Sequence, residues 1–401
     1  MIRILQIHDL KDLKKIFHEL KVDPYGIKIM APKAANYLIR IKGITSLVAN
    51  ILKQEMLSAG GDAAVARDIL TTQPKQTDCL IIGNQSQVTR VIEKLSMQPF
   101  GLRLIAKELK VLLSQYHKDN FSLKLKDTRI PLKKRTALMG ILNLTPDSFS
   151  NDGLYQCIAS SRFNEIVMFA EKLKNDGADI IDIGGESSRP GAQPLALKEE
   201  LKRTIPVVKL LAKKIKIPLS IDTYKPEVAR QALDNGAVIV NDISGLRCPA
   251  MAKIAARYKA TVVLMHMQGS PQTMQKKPSY QSVMDEIIGY LGSAVKRATD
   301  AGIAENKIII DPGIGFGKDY RHNLEILKHL KELKVLGKPV LVGPSRKSFI
   351  GKILKVPADA RIFGTLAASV VAAQNGAQIL RVHDVLAVSQ ALKVAEAIQH
   401  H

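Results

Sequence analysis

The sequence predicts an α/β protein in which a (β/α)8 TIM barrel occupies residues 121–401 and a smaller α/β domain occupies residues 1–120. The first observation is a rhythm: from about residue 137, eight short runs of apolar, β-branched residues alternate with longer segments of helical period. The second is that polar residues stand at the end of every one of these runs. A doubly wound open sheet is the alternative, but the Gly-x-Gly-x-x-Gly turn of such sheets does not follow the first run.

The composition is that of a globular protein that is not exported. Of 401 residues, 46% are hydrophobic and 24% are charged, which excludes collagen-like and disordered chains. No apolar run is long enough to span a bilayer, and the N-terminus lacks a signal-peptide pattern. Three separated cysteines, Cys79, Cys157 and Cys248, favour neither a disulfide framework nor a thiolate zinc site. We therefore expect a cytoplasmic protein without a membrane partner.

The formal charge of +22 is concentrated toward the N-terminus, because residues 1–135 hold 24 Lys and Arg against 12 Asp and Glu. A basic field of this kind attracts nucleic acid, an anionic membrane surface or phosphorylated metabolites. However, the lysines are scattered at helical spacing, no nucleic-acid motif accompanies them, and Trp is absent. The pattern favours a solvated basic surface over a nucleic-acid partner.

Residues 1–120 contain helical periods over residues 44–56, 86–96 and 102–115 and a short buried strand at residues 80–83. We find no catalytic constellation in this segment. Gly60-Gly61-Asp62 is compatible with a phosphate cradle, but a Gly-Gly pair between helical segments is more often a helix stop. The interpretation is a structural or oligomerisation domain, with a nucleic-acid-binding or protein-binding module as the alternative.

A β-hairpin and eight strands are predicted in the rest of the chain. Residues 121–134 alternate apolar and polar side chains around a polar turn, and we expect this hairpin to cover the N-terminal mouth of the barrel. Segments such as residues 163–176 and 226–235 predict helices that end near glycines. The predicted strands are residues 137–145, 179–185, 218–223, 238–244, 261–267, 308–313, 339–345 and 377–385.

The strand ends predict one site, because the carboxyl ends of barrel strands meet at the same face. Asp182, Asp222, Asn241 and Asp311 would supply acceptors and an amide in an otherwise apolar cup, which suits a flat heterocycle with several N–H donors. Lys347 would donate to a carbonyl or ring nitrogen of the same ligand.

A phosphate group and a metal ion fit the same strand ends. Arg381 and His383 stand two residues apart, so they project to the same side of the last strand and can receive a phosphate. Asn143 offers a hard oxygen ligand for Mg²⁺. Asn151-Asp-Gly, shortly after Phe149, predicts a turn-rich loop that closes over the site.

Eight motifs, in order, resemble those of dihydropteroate synthases, and the resemblance runs from about residue 121 to the C-terminus, about two-thirds of the chain. Eight motifs in register are far more specific than one alone. They are Met139-Gly-Ile-Leu-Asn-Leu-Thr-Pro-Asp-Ser-Phe-Ser, Asp182-Ile-Gly-Gly-Glu-Ser-Ser-Arg-Pro-Gly-Ala, Ser220-Ile-Asp-Thr, Asn241-Asp-Ile-Ser-Gly, Met265-His-Met-Gln-Gly, Asp311-Pro-Gly-Ile-Gly-Phe-Gly-Lys, Gly343-Pro-Ser-Arg-Lys-Ser and Arg381-Val-His-Asp-Val.

The resemblance implies a transferase of folate biosynthesis that condenses 6-hydroxymethyl-7,8-dihydropterin diphosphate with 4-aminobenzoate, the substrate with which sulfonamides compete. It also implies a Mg²⁺ cofactor held by Asn143, a homodimer, and Asp182 facing the reacting methylene. Catalysis would rest on Asp182, Lys347, Arg381 and His383. The implied substrate ligands are Asp222, Asn241, Asp311, Lys347, Ser188 and Met267 for the pterin, Asn143, Arg381 and His383 for the diphosphate, and Phe149, Ser188, Arg189 and Ser348 for 4-aminobenzoate.

Two rival functions share part of this pattern. A pterin-dependent methyltransferase would keep the Asp and Asn ligands but has no use for the basic diphosphate clamp of Arg381 and His383. A catalytically inactive pterin-binding paralogue would keep the fold, yet every motif residue that the reaction needs is present. In the motifs, Ser188 stands where the family more often has threonine, which preserves the hydroxyl.

Overall fold

A computed structural model describes residues 2–5, 7, 10–69, 76–133, 135–145, 163–187 and 191–400 of the chain. The chain divides into two compact units, Met1–Ser114 and Gln115–His401. No helix in the described ranges is both long enough and apolar enough to cross a membrane.

The first unit is built on an antiparallel sheet whose described strands pair in the order β1-β3-β2. Leu52, Met56, Ile81 and Leu95 are fully buried between this sheet and its helices. The strands are β1 (Asn36–Ile44), β2 (Asp62–Val65) and β3 (Thr77–Asn84), and the helices are α1 (Leu10–Glu19), α2 (Pro24–Ala34), α3 (Ser46–Ser58), α4 (Gln85–Leu95) and α5 (Leu102–Tyr116).

The second unit begins with a hairpin, β4 (Ser122–Leu125) and β5 (Thr128–Pro131), followed by an eight-stranded parallel sheet. The strand order is β11-β10-β9-β8-β7-β6-β13-β12, and a parallel bridge between Ile310 and Val340 brings the two ends of this sheet together as a barrel. The strands are β6 (Ala137–Asn143), β7 (Ile180–Gly184), β8 (Leu219–Asp222), β9 (Ile239–Asp242), β10 (Thr261–Met265), β11 (Ile308–Asp311), β12 (Leu341–Val342) and β13 (Ile379–Val382).

Helices follow the strands and cover the outside of the barrel, where their apolar faces form the larger core of this unit. Glycines with positive φ, such as Gly177 at +109° and Gly236 at +110°, stand just past the ends of two of these helices. The helices are α6 (Phe163–Asn175), α7 (Leu197–Lys214), α8 (Pro226–Asp234), α9 (Pro249–Arg257), α10 (Val283–Asp300), α11 (Tyr320–Lys328), α12 (Ser348–Leu354), α13 (Ile362–Gln374) and α14 (Val385–His400). The short 3₁₀ segments Glu305–Lys307 and Leu330–Leu336 lie between them.

The inside of the barrel has an apolar lower half and a polar upper half. Alternate residues of each strand point inward, so Met139, Ile180 and Ile309 fill the N-terminal half. The hairpin residues Leu123 and Ile130 belong to the same buried cluster, which confirms that the hairpin covers the N-terminal mouth. Among the described residues, the hairpin therefore closes the N-terminal end of the barrel, and a ligand would enter at the carboxyl end.

The fold class and all eight barrel strands are confirmed, although every predicted run extends one to three residues past the observed strand end. The residues beyond those ends belong to loops, and apolar periodicity does not mark the position at which a strand ends. In the first unit, the predicted strand and three helices are present as β3, α3, α4 and α5. We did not predict β1, β2, α1 or α2.

Candidate active site

A cavity of about 420 Å³ lies at the carboxyl ends of the barrel strands. Its size is within the range of small-molecule sites, and in barrels of this kind the same end holds the active site. The polar residues that line it are Asn143, Thr145, Glu186, Ser187, Asp222, Asn241, Asp311, Arg346, Lys347, Ser348, Arg361, Arg381 and His383.

Arg381 joins two carboxylates at the floor of the cavity. Its Nε donates to Oδ2 of Asp182 and its Nη2 donates to Oδ2 of Asp222, each at 2.6 Å. Nδ2 of Asn241 donates to the same oxygen of Asp182 at 3.0 Å. The side chain of Asp182 is 0% exposed, and its Oδ1 has no hydrogen-bond partner among the described residues. This oxygen is therefore a buried acceptor that a ligand donor would satisfy.

The charges on the floor depend on one another. Burial raises the pKa of Asp222 above its ordinary value, the guanidinium of Arg381 opposes this rise, and Asp182 adds to it. Burial would lower the pKa of Arg381, but the carboxylates of Asp182 and Asp222 raise it by more. Arg381 therefore stays charged, and its guanidinium opposes the protonation of Asp222 that burial favours.

Asp311 ends β11 and begins a glycine-rich loop in the cavity wall. Its Oδ1 accepts the backbone N–H of Gly313 at 2.7 Å, and burial raises its pKa to about 6. Gly313 has a φ of +71°, and a Cβ at this position would lie 2.0 Å from the carbonyl oxygen of His266. Glycine is required here because both the backbone conformation and the space exclude a side chain.

Lys347 stands immediately before α12 and lies over the ring of Phe316, with its Nζ 4.2 Å from the ring centroid. Burial and the charge of Arg381 lower its pKa to about 8, and Asp311 and Asp222 partly oppose this effect. A Cβ at Gly315 would lie 3.0 Å from Cδ of Lys347, so the glycine lets the lysine stem pack against the loop. The ammonium thus lies against an aromatic ring, within electrostatic range of the carboxylates of Asp311 and Asp222.

Asn143 and Asp222 lie on either side of Gly184, with Asn143 Oδ1 3.5 Å and Asp222 Oδ2 3.8 Å from the position of a Cβ there. In the described part of the chain, no three His, Cys, Asp or Glu side chains form a group that could hold a metal ion. A metal at Asn143 would therefore rely on substrate oxygens and waters, which is how Mg²⁺ is often bound. The donor chemistry at this position fits that ion.

Most of the predicted site residues lie around this one cavity. His383 lines it, with Nδ1 3.0 Å from Oγ of Ser345, and Asp182 lies directly beneath it. Met267 is buried beside the cavity among other methionines and does not line it. Phe149, Ser188 and Arg189 lie outside the described residues, as does the Asn151-Asp-Gly loop. The predicted residues that line the cavity are Asn143, Asp222, Asn241, Asp311, Lys347, Ser348, Arg381 and His383.

Sequence reasoning missed the apolar wall of the cavity and part of its charged rim. Apolar residues at strand ends carry no signal that separates a cavity wall from an ordinary core, but the inward positions of a strand could have identified Met265. Glu186 belongs to the motif Asp182-Ile-Gly-Gly-Glu, but the sequence alone did not indicate a role for it. The missed residues are Ile141, Thr145, Glu186, Ser187, Ile243, Met265, Met274, Ile314, Phe316, Arg346 and Arg361.

Comparison with known proteins agrees with this geometry. A family model described as "Pterin binding enzyme" matches residues 139–383. The dihydropteroate synthase of Synechocystis is 49% identical over 267 residues, which is 66% of this chain and 91% of that protein.

Two solved structures match the barrel region. The Yersinia pestis dihydropteroate synthase in a sulfonamide drug complex has 42% identity and a TM-score of 0.67, over 70% of this chain and all of that one. The Xanthomonas albilineans dihydropteroate synthase with 4-aminobenzoic acid has 41% identity and a TM-score of 0.64, over 70% of this chain and 99% of that one. With the barrel, its polar strand ends and these similarities in place, we conclude that the chain belongs to the dihydropteroate synthase family of pterin-binding enzymes.

Proposed function

We propose that the barrel condenses 6-hydroxymethyl-7,8-dihydropterin diphosphate with 4-aminobenzoate in the cavity at its strand ends, giving 7,8-dihydropteroate and diphosphate. The observation that carries the proposal is that Asp222, Asn241, Asp311, Lys347 and Arg381, from separate parts of the barrel, line one cavity of about 420 Å³. Relatives that share the barrel are dihydropteroate synthases.

The pterin ring would lie against the floor. Asp222 and Asp311 are acceptors for its N–H donors, Asn241 adds an amide, and Lys347 donates to its carbonyl or a ring nitrogen. A carboxylate accepts two parallel N–H bonds, and such charge-assisted bonds are stronger than neutral ones. Met265, Ile243 and Phe316 supply the apolar faces between which a flat ring can stack.

The diphosphate would lie near the last strand. Arg381 and His383 both line the cavity there and would oppose the charge that develops on the leaving group. Asn143 would hold Mg²⁺ together with diphosphate oxygens. The ion would supply Lewis-acid stabilisation of the leaving group.

The reaction breaks the C–O bond of the pterin methylene, and the electron pair leaves with the diphosphate. Asp182, buried next to Arg381, faces the methylene in this proposal and stabilises the positive charge that develops there. The amine of 4-aminobenzoate then bonds to the methylene carbon and releases its proton to water or to the diphosphate. Orientation and exclusion of water are enough for this step, so no strong base is required.

The second substrate would enter from the rim. Ser348 lines the cavity at the start of α12, where its position suits the carboxylate of 4-aminobenzoate. Phe149, Ser188 and Arg189 are proposed to complete this side. Structures of related enzymes with 4-aminobenzoic acid and with a sulfonamide support the choice of substrate.

We also propose that the protein is a cytoplasmic homodimer, on the basis of its cysteine usage and its family. Cys79 is buried and Cys248 is half-buried, and neither forms a disulfide. Light scattering of the purified protein tests the assembly, because a mass near 44 kDa would contradict the dimer.

The decisive experiment is diphosphate release by the purified protein with Mg²⁺ and both substrates, with and without a sulfonamide. We expect release that requires 4-aminobenzoate and that the sulfonamide suppresses. Tight binding of the pterin substrate without release would identify an inactive pterin-binding paralogue. Transfer of a methyl group to or from a pterin, without diphosphate chemistry, would identify the methyltransferase alternative.

A further inference from the structure

Lys225 lies beside the cavity at the centre of a buried charge cluster, although neither the proposed reaction nor its substrates use it. It stands three residues after Asp222, in the turn between β8 and α8. Its Nζ donates to Oε2 of Glu200 at 2.5 Å and to the carbonyl oxygen of Leu195 at 2.7 Å, and it forms an ion pair with Glu186. The three charged side chains are only 16%, 1% and 12% exposed, for Lys225, Glu200 and Glu186.

These partners belong to a single connection. Glu186 is the second residue of the loop between β7 and α7, Leu195 is close to the end of this loop, and Glu200 lies in the first turn of α7. The ammonium of Lys225 therefore ties the start of the loop to its end and both to the turn after β8.

Neighbouring contacts reinforce the same tie. The hydroxyl of Tyr224 donates to Glu186 at 2.7 Å, and the hydroxyl of Thr223 donates to Glu200 at 2.7 Å. Gly185 packs so tightly against α7 that a Cβ would lie 2.6 Å from Cγ2 of Thr204. The base of the loop is thus fixed on three sides, and Lys225 supplies the charge that holds two carboxylates together.

The loop base forms part of the cavity rim. Glu186 and Ser187 line the cavity, and they lie two and three residues beyond the end of β7. Asp222 is the last residue of its own strand, and Asn241 lies within its strand, so the pterin contacts are deeper than this rim. A second substrate that attacks the pterin methylene must enter past this rim and would contact it when bound.

We propose that Lys225 is a positioning residue that fixes the loop base at Glu186 and Leu195 and thereby sets the site of the second substrate. This inference rests on the proposed function, and it concerns 4-aminobenzoate more than the pterin. Removal of the ammonium leaves Glu186 and Glu200 close together without a shared cation. The loop base then separates, while the floor residues keep their contacts.

The test is the variant Lys225→Met, with Lys296→Met as the matched control. Lys296 forms an exposed i,i+4 pair with Asp300 on α10 and is not among the described residues that line the cavity. We expect the KM for 4-aminobenzoate to rise at least about tenfold in Lys225→Met, since small displacements of positioning groups have effects of this order. The Kd for the pterin diphosphate, measured by calorimetry, should stay within about twofold, as should both constants in the control.

A double variant, Lys225→Met with Glu200→Gln, separates positioning from a loss of stability. It removes one uncompensated buried charge and should recover part of the Tm, but it does not restore the tie to Glu186 and Leu195. A KM for 4-aminobenzoate that stays raised supports the proposal, and a KM that recovers together with the Tm overturns it. An unchanged KM in Lys225→Met, or an equal loss of affinity for both substrates, also overturns it. Absence of diphosphate release by the wild-type protein would instead remove the proposed function.

Discussion

Replacement of Arg381 by methionine tests the electrostatic design of the cavity floor. The guanidinium makes two charge-assisted contacts of 2.6 Å, one of them to a carboxylate that is completely buried. Removal of one partner from a buried ion pair costs about 3–5 kcal/mol, because the remaining charge stays away from water. We therefore expect Arg381→Met to lower the free energy of unfolding of the barrel by about 3–5 kcal/mol near pH 8.

The loss of stability in Arg381→Met should be larger at high pH than at low pH. Burial already raises the pKa of Asp222 in the native state, and without Arg381 this pKa rises further. The native variant then binds more protons than the unfolded chain, so its stability decreases as the pH rises through the native-state pKa. The difference in the free energy of unfolding between the variant and the wild type reaches its full size above that pKa, and it shrinks as the pH falls toward about 5.

Urea unfolding at about pH 8 and about pH 5, followed by circular dichroism, measures both effects. The control is Arg230→Met, which removes an exposed guanidinium that pairs with Glu227 and Asp234 on α8, and which should show no dependence of this kind. A loss of less than about 1 kcal/mol, or a loss of equal size at both pH values, would refute the reasoning.

Four other predictions address the site and the two units. The kcat/KM for the pterin should fall below about pH 6, because Asp311 gains a proton, and above about pH 8, because Lys347 loses one. In Lys347→Arg, only the decrease at high pH should move, and it should move to higher pH. Lys347→Ala should weaken pterin binding about tenfold or more in calorimetry, and an unchanged Kd would contradict its role as donor. Gly313→Ala should destabilise the barrel by about 3 kcal/mol or more, seen as a lower Tm, because its Cβ would overlap the carbonyl of His266. A chain of residues 115–401 should keep diphosphate release within about twofold of the full chain, because it retains the whole barrel unit and its hairpin; loss of activity would give the first unit a role in catalysis or assembly.

The first unit was harder to predict than the barrel. In β1, charged residues such as Arg40 and Lys42 alternate with apolar ones. This segment is therefore little more hydrophobic than a loop, and its pattern did not identify it as a strand. The helices α3, α4 and α5 were predicted because their apolar faces repeat at helical period over three or more turns. Short elements with weak periodicity acquire their structure from pairing with β3, which a local pattern does not contain.

Met267 illustrates a limit within the barrel. The family motif that includes it implies a pterin contact, yet β10 ends at Met265, and it is Met265 that lines the cavity. Strand alternation predicts which residues share a face only while the strand continues. Beyond its last paired residue, the loop geometry decides where a side chain points.

The sequence by itself determined the (β/α)8 architecture, the hairpin plug, the family and the set of polar strand ends. These features are encoded locally, in apolar runs, glycines and short motifs, so each can be predicted from one segment of the sequence at a time. Only the tertiary structure decided that Arg381 bonds to Asp182 and Asp222, and that Lys225 ties the loop base at Glu186. Arg381 and Asp182 are 199 residues apart, and their contact depends on closure of the barrel and on the register of its strands, which arise from the packing of the whole unit.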